Sequence, residues 1–155
     1  MNDLTEVIAL ETTVARVPAQ SRKRVLQLLS DLLAAQHADL SERAIFEALM
    51  ARERLGSTGI GEGVAIPHCR TRCERIFSAF FLLEQPVDFE APDSVAVDLV
   101  FVIVVPDNEE AAHLTLLARL AAVFNDADNR ARLRSADTDS DLYHQISGML
   151  QKDAA

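Results

Sequence analysis

The amino-acid sequence predicts an α/β fold, a three-layer α/β/α sandwich around a central mixed β-sheet, and two observations carry the prediction. Helix-period segments occupy both ends of the chain while short strand-like runs fill its middle, an order that encloses a sheet between helical layers. The two longest central runs, IFSAFFLLE (76–84) and VAVDLVFVIVVP (95–106), are apolar almost throughout. That pattern suits strands covered on both faces. A chain of 155 residues lies within the range of about 100–200 residues usual for one domain. With no internal repeat or low-complexity segment, residues 1–155 are expected to form a single domain.

Taken in order, TTVARVPA (12–19) reads as an edge strand. SRKRVLQLLSDLLAAQ (21–36) follows as a helix, with Ser21 as its N-cap and Val25, Leu28, Leu29, Leu32 and Leu33 at helical spacing. SERAIFEALMARERL (41–55) is a second helix. Ser41 caps it, Ile45, Leu49 and Arg52 recur on neighbouring turns, and Gly56 stops it. Strand-like runs GVAIPH (63–68), IFSAFFLLE and VAVDLVFVIVVP come next, separated by turns containing Pro and Asp. The chain then returns to helix in NEEAAHLTLLARLAAVF (108–124), DNRARLRS (128–135) and DTDSDLYHQISGML (137–150).

Composition narrows the function. A formal charge of -9 disfavours nucleic acid and acidic membrane surfaces, which bind through basic patches. The acidic N-terminal stretch lacks the basic region of a secretory signal, and no apolar run approaches the roughly 20 residues that span a bilayer. A cytoplasmic protein without membrane insertion is expected, with Cys69 and Cys73 kept as thiols.

The densest chemistry lies in GSTGIGEGVAIPHCR (56–70). Glycines at 56, 59, 61 and 63 permit close approach of an anion to the main chain; a helix C-cap at Gly56 followed by a tight hairpin is the alternative. The loop fits neither the dinucleotide nor the P-loop pattern. Pro67 stiffens the backbone before His68, whose imidazole is largely neutral and nucleophilic near neutral pH and can accept a phosphoryl group without a separate base. Arg52 and Arg54, just before the loop, offer guanidinium donors to phosphate oxygens. As helix-end arginines they also have a purely local use.

The segment RERLGSTGIGEGVAIPH (52–68) resembles the signature of the type 2 (fructose/mannitol) IIA domains of the bacterial phosphoenolpyruvate-dependent phosphotransferase system. The likeness extends through QPVDFEAPDSVAVDLVFVIVVP and HLTLLARLA in the family order, and it is greatest to the stand-alone, nitrogen-regulatory branch. It implies a phosphocarrier rather than a turnover enzyme, with no cofactor and no metal. His68 would take phosphate on Nε2 from an HPr-type phosphohistidine carrier. Arg52 corresponds to the active-site arginine, and His113 to a second histidine near the first. Ser57, Thr58 and the amides of Gly59 and Gly61 would hold the phosphoryl oxygens, while Ile60, Val64 and Ile66 exclude water. Partners implied are that carrier and regulatory targets such as kinases or potassium transporters. The alternative is a fructose/mannitol-type component that passes phosphate to a IIB domain during sugar uptake; the end of the chain at GMLQKDAA favours regulation. Cys69 departs from the glycine common in the family, and the role of Glu62 is open.

Two other chemistries share these residue types. A zinc site from His68, Cys69, Cys73 and His113 is disfavoured because adjacent strand residues face opposite ways and no Cys-x-x-Cys pair occurs. A hydrolase with Ser57 or Cys69 as nucleophile lacks the Gly-x-Ser-x-Gly elbow.

Overall fold

The computed structural model describes the backbone of residues 7–107 and 112–154; the side chains of 112, 113, 153 and 154 lie outside that description. Residues 108–111, the predicted start of the first late helix, also fall outside it. In chain order the elements are β1 (Thr13–Val17), α1 (Arg22–Gln36), α2 (Glu42–Leu55), β2 (Gly59–Gly61), β3 (Val64–Ala65), β4 (His68–Thr71), β5 (Phe77–Val87), β6 (Val97–Pro106), α3 (Ala112–Phe124), α4 (Ala127–Arg134) and α5 (Asp139–Ala154).

The helices begin where the sequence places their caps. Ser21 Oγ accepts the Arg24 N–H and Ser41 Oγ accepts the Ala44 N–H, both at 3.1 Å, satisfying otherwise orphaned donors. The buried stripe of α1 runs through Val25, Leu26, Leu29 and Leu33. It is rotated from the expected face, leaving Leu28 and Leu32 half-buried. In α2 the stripe is Ile45, Leu49 and Glu53, so a carboxylate, not Arg52, takes the third inward position.

The sheet is mixed, in the order β1-β5-β6-β3-β2, with β4 also paired to β6. β1 runs parallel to β5, β5 antiparallel to β6, and β3 and β4 parallel to β6. Both faces are covered. On one, α3, α4 and α5 pack through Leu116, Leu120, Phe124, Leu133 and Ile146 against Phe80, Phe101 and Ile103. On the other, α1 and α2 cover Phe81, Val100, Val102 and Val104. This alternation explains the unbroken apolar run of β6, and each fully buried side chain contributes roughly 2 kcal/mol of transfer free energy.

β1 lies at the sheet edge, as predicted. Its outer side is covered, because the Asp139 carboxylate accepts the Ala15 N–H at 2.8 Å and Arg16 donates to Ala136 O at 3.2 Å. Such coverage blunts an edge that would otherwise pair with another chain.

The run GVAIPH forms two strands rather than one. Ile103 N–H donates to Pro67 O at 3.0 Å, so residue 67 turns its main chain toward β6, where proline has no N–H to return. The ladder is interrupted there and resumes at His68, paired with Ile103. Upstream, β2 and β3 form a hairpin turning through Glu62 and Gly63, both with positive φ, as two-residue hairpins favour. The compact alternative for the glycine loop is therefore the one the backbone adopts. Gly63 O accepts the N–H groups of both Asp98 and Leu99, and beside it Arg134 Nε donates to Asp98 Oδ1 and Oδ2, each at 3.0 Å.

Candidate functional site

His68 opens β4 at the end of the hairpin and is half-buried. Its Nδ1 lies 2.8 Å from Ile66 O. A carbonyl oxygen only accepts, so Nδ1 carries the proton and the lone pair of the neutral ring resides on Nε2. The imidazole is thus held in one orientation, with Nε2 as its basic nitrogen.

A cleft of about 550 Å³ opens beside the ring, lined by Ala48, Ala51, Arg52 and Leu55 of α2 and by His68, Cys69, Arg70 and Val105 of the sheet. Arg52 occupies the last turn of α2, where its Nη1 donates to Gly56 O at 2.9 Å. That bond satisfies a helix-terminal carbonyl and holds the guanidinium toward the cleft. Arg70 sits two residues beyond His68 on the same strand face. Both cations therefore share the cleft with the imidazole in a chain whose net charge is -9. Arg54 is exposed and does not line the cleft. Leu55, 85% exposed, forms an apolar shoulder.

The loop between α2 and β2 is fastened from within. Ser57 Oγ donates to Phe89 O and accepts the Gly59 N–H at 3.0 Å. Thr58 Oγ1 donates to the Glu53 carboxylate, and the Thr58 N–H reaches it at 3.4 Å. Glu53 also pairs with Arg22 Nη1 at 3.3 Å. Both hydroxyls expected to hold phosphate are thus engaged inside the fold, as is the Gly59 amide. Gly59 serves close packing, since a Cβ there would lie 2.8 Å from Ala91 Cβ. Gly61 pairs with Val64, four residues from His68 along an edge in constant register with β6. It lies roughly 13 Å away at about 3.3 Å per residue, too far to join the cleft. His113 falls in the first turn of α3, and its side chain lies outside the described residues.

Cys69, one residue from the imidazole, is buried, and burial pushes its thiol up to about 12. It is a packing group rather than a thiolate nucleophile. Cys73 Sγ contacts Arg75 O at 3.2 Å. Among the described residues no group of three or more His, Cys, Asp or Glu is gathered to hold a metal ion, and no helix is long and apolar enough to cross a membrane. Glu62 lies at the far hairpin tip, where its N–H donates to Asp93 Oδ2 at 2.8 Å and its carbonyl accepts from Arg134 Nη2 at 2.7 Å. The features not drawn from the sequence are Arg70, signalled only by its i+2 spacing from His68, and Glu53, signalled by the i, i+4, i+8 continuation of Ile45 and Leu49.

Fold and site together define a three-layer α/β domain that presents an oriented imidazole beside arginines at a sheet edge. The chain belongs to the family described as phosphoenolpyruvate-dependent sugar phosphotransferase system, EIIA 2, whose family model matches residues 6–149. It is 45% identical over 144 residues to the nitrogen regulatory protein of Pseudomonas aeruginosa, covering 92% of this chain and 94% of that one. Among solved structures it resembles the nitrogen regulatory protein IIA-Ntr of Neisseria meningitidis, with a TM-score of 0.83, 34% identity, and coverage of 95% of this chain and 98% of that one. The IIA mannitol protein of Escherichia coli shares the fold, with a TM-score of 0.75 at 20% identity over 92% of this chain and 98% of that one.

Proposed function

We propose that this protein is a phosphoryl carrier that accepts phosphate on Nε2 of His68 from the phosphohistidine of an HPr-type carrier, and that its phosphorylation state is a cytoplasmic signal. The observation that carries the reading is the Nδ1–Ile66 hydrogen bond at 2.8 Å, because it commits the lone pair to Nε2 at the mouth of an arginine-flanked cleft. As Nε2 bonds to phosphorus, the donor's P–N bond breaks and its electron pair returns to the donor ring. Positive charge developing on the His68 ring is offset by the Ile66 carbonyl. Arg52 and Arg70 supply donors to the moving phosphoryl oxygens, in a reaction governed by positioning and electrostatics. His113 is the further group this reading brings to the phosphate. Ser57, Thr58 and Gly59 act as the loop's frame.

Regulation is supported by the likeness to the nitrogen regulatory proteins of Pseudomonas aeruginosa and Neisseria meningitidis, which exceeds that to the mannitol protein. The added group carries nearly two negative charges, which reverses the local sign of a cleft otherwise dominated by Arg52 and Arg70. A regulatory target, such as a kinase or a potassium transporter, would discriminate the two forms through that sign change. The test is intact-protein mass after incubation with phosphoenolpyruvate, the first enzyme of the system and its HPr-type carrier. One acid-labile phosphoryl group on the wild type, absent from His68→Ala, is the expected result. No addition to folded wild type, or an equal addition to the variant, would overturn the assignment.

A further inference from the structure

Glu53 is a carboxylate whose side chain is only 2% exposed, at a position where the apolar stripe of α2 would otherwise continue. Burying a charge carries a large desolvation penalty, and an apolar side chain of similar volume would avoid it. The Glu53 carboxylate receives the Thr58 hydroxyl and amide and the Arg22 guanidinium. From Thr58 the hydrogen bonds continue: Thr58 O accepts the Ile66 N–H at 3.0 Å, and Ile66 O accepts His68 Nδ1–H at 2.8 Å. An unbroken chain therefore leads from a buried ion pair to the imidazole, through the backbone of Thr58, just before β2, and of the segment joining β3 to β4.

We infer that Glu53, acting through Thr58 and Ile66, is a positioning residue that sets the tautomer of His68 and so directs phosphoryl transfer to Nε2. Pro67 gives the arrangement its use. Lacking an N–H, it ties this segment to β6 through its carbonyl alone, which accepts the Ile103 N–H at 3.0 Å, so the Thr58 bond to the Ile66 N–H on the opposite side adds the second restraint on the Ile66 peptide. Arg22 secures the far end, since the same Nη1 that pairs with Glu53 also donates to Phe89 O at 3.3 Å, the carbonyl that receives Ser57. No proton moves along the chain. Its effect is geometric, fixing one oxygen within reach of one ring nitrogen.

The inference rests on the reading of His68 as phosphoryl acceptor, but its primary test does not need the transfer. The ¹⁵N shifts of the neutral His68 ring report the tautomer directly, in wild type, Glu53→Gln, Thr58→Val and Thr58→Ser, each checked for folding by thermal unfolding. The wild type should be dominated by the Nδ1–H form. In Glu53→Gln and Thr58→Val the Nε2–H form should rise several-fold, and the rate of phosphoryl acceptance at saturating donor should fall about five- to tenfold with KM little changed, the scale of one lost oriented hydrogen bond. Thr58→Ser keeps the hydroxyl and should restore both readouts. Should Glu53→Gln fail to fold, Thr58→Val, which leaves the Arg22 pair intact, decides the question. Folded variants with wild-type tautomer populations overturn the inference. A tautomer shift in a protein whose wild type accepts no phosphate would support the positioning chain and refute the carrier reading instead.

Discussion

Replacing Gly63 by alanine tests how the hairpin that leads into the site is held. Gly63 has φ +80, and a Cβ built on it would lie 2.4 Å from Arg134 Nη2 and 3.3 Å from both Ala96 O and Asp98 Oδ1. An L-residue in this left-handed region costs about 1 kcal/mol by itself. The collision also forces Arg134 away from Asp98 and from Glu62 O. Charge-assisted bonds are worth about 1.5–3 kcal/mol, but this pair is 35% and 19% exposed, so solvent screening reduces the loss to about 1–2 kcal/mol. The sum is about 2–3 kcal/mol, equivalent to roughly 4–12 °C in Tm for a domain of this size. The assay is thermal and urea unfolding of Gly63→Ala, Arg134→Ala and the double variant. The double variant should be less destabilised than the sum of the singles by at least about 1 kcal/mol, since both remove the same contact. Gly148→Ala is the control. It is a helical position with nothing within 4 Å of the built Cβ, so alanine should stabilise by about 0.5–1 kcal/mol. A Gly63→Ala effect below about 0.5 kcal/mol, the level of an ordinary surface change, would refute the clamp.

Arg52→Ala should slow phosphorylation by roughly 10²-fold, the scale of removing one preorganised donor, while unfolding at nearly the wild-type temperature; an unchanged rate would remove Arg52 from the mechanism. Alkylation of the native protein at neutral pH should label Cys73 and spare buried Cys69, with both labelled after unfolding, as mass spectrometry of digested protein would report. His37 packs its ring 4.4 Å from Phe77, and burial, then repulsion from Arg75, hold its pKa below the ordinary 6.5. The unfolded chain therefore binds that proton more readily. Its contribution to stability is complete above about pH 6.5 and lost as the pH falls through the lowered folded value. Tm should drop more between pH 7 and pH 5 in wild type than in His37→Gln, and equal slopes would contradict this.

Local signals were legible wherever one residue type decides one backbone event. Ser21 and Ser41 start helices, Gly56 ends one, and the unbroken apolar runs announce strands buried on both faces. His68 and Arg52 could be singled out because they flank a stretch of unusual composition, and the structure brings them to one cleft. What escaped depends on partners that only the folded chain brings together. Ser57 and Thr58 read as phosphate donors until Phe89, 32 residues away, and Glu53 claim their hydroxyls. Gly59 and Gly61 look equivalent in the sequence, yet hairpin register pairs them with Ala65 and Val64, three and four strand residues back from His68, and Gly59 is packed against Ala91. The rotation of the α1 stripe toward Leu26 reflects a leucine-rich helix with several apolar faces on offer, among which tertiary packing chooses. Pro67 interrupts β3 and β4 only because its parity turns it toward β6, and parity is set by pairing.

The most direct measurement of the central claim is the ³¹P–¹⁵N coupling pattern of the phosphorylated protein carrying ¹⁵N-labelled histidine. A single phosphorus bonded to Nε2 of His68, with Nδ1 still protonated, is the predicted result. Phosphorus on Nδ1, or on a different residue, would contradict the assignment of the Ile66-held imidazole as the acceptor.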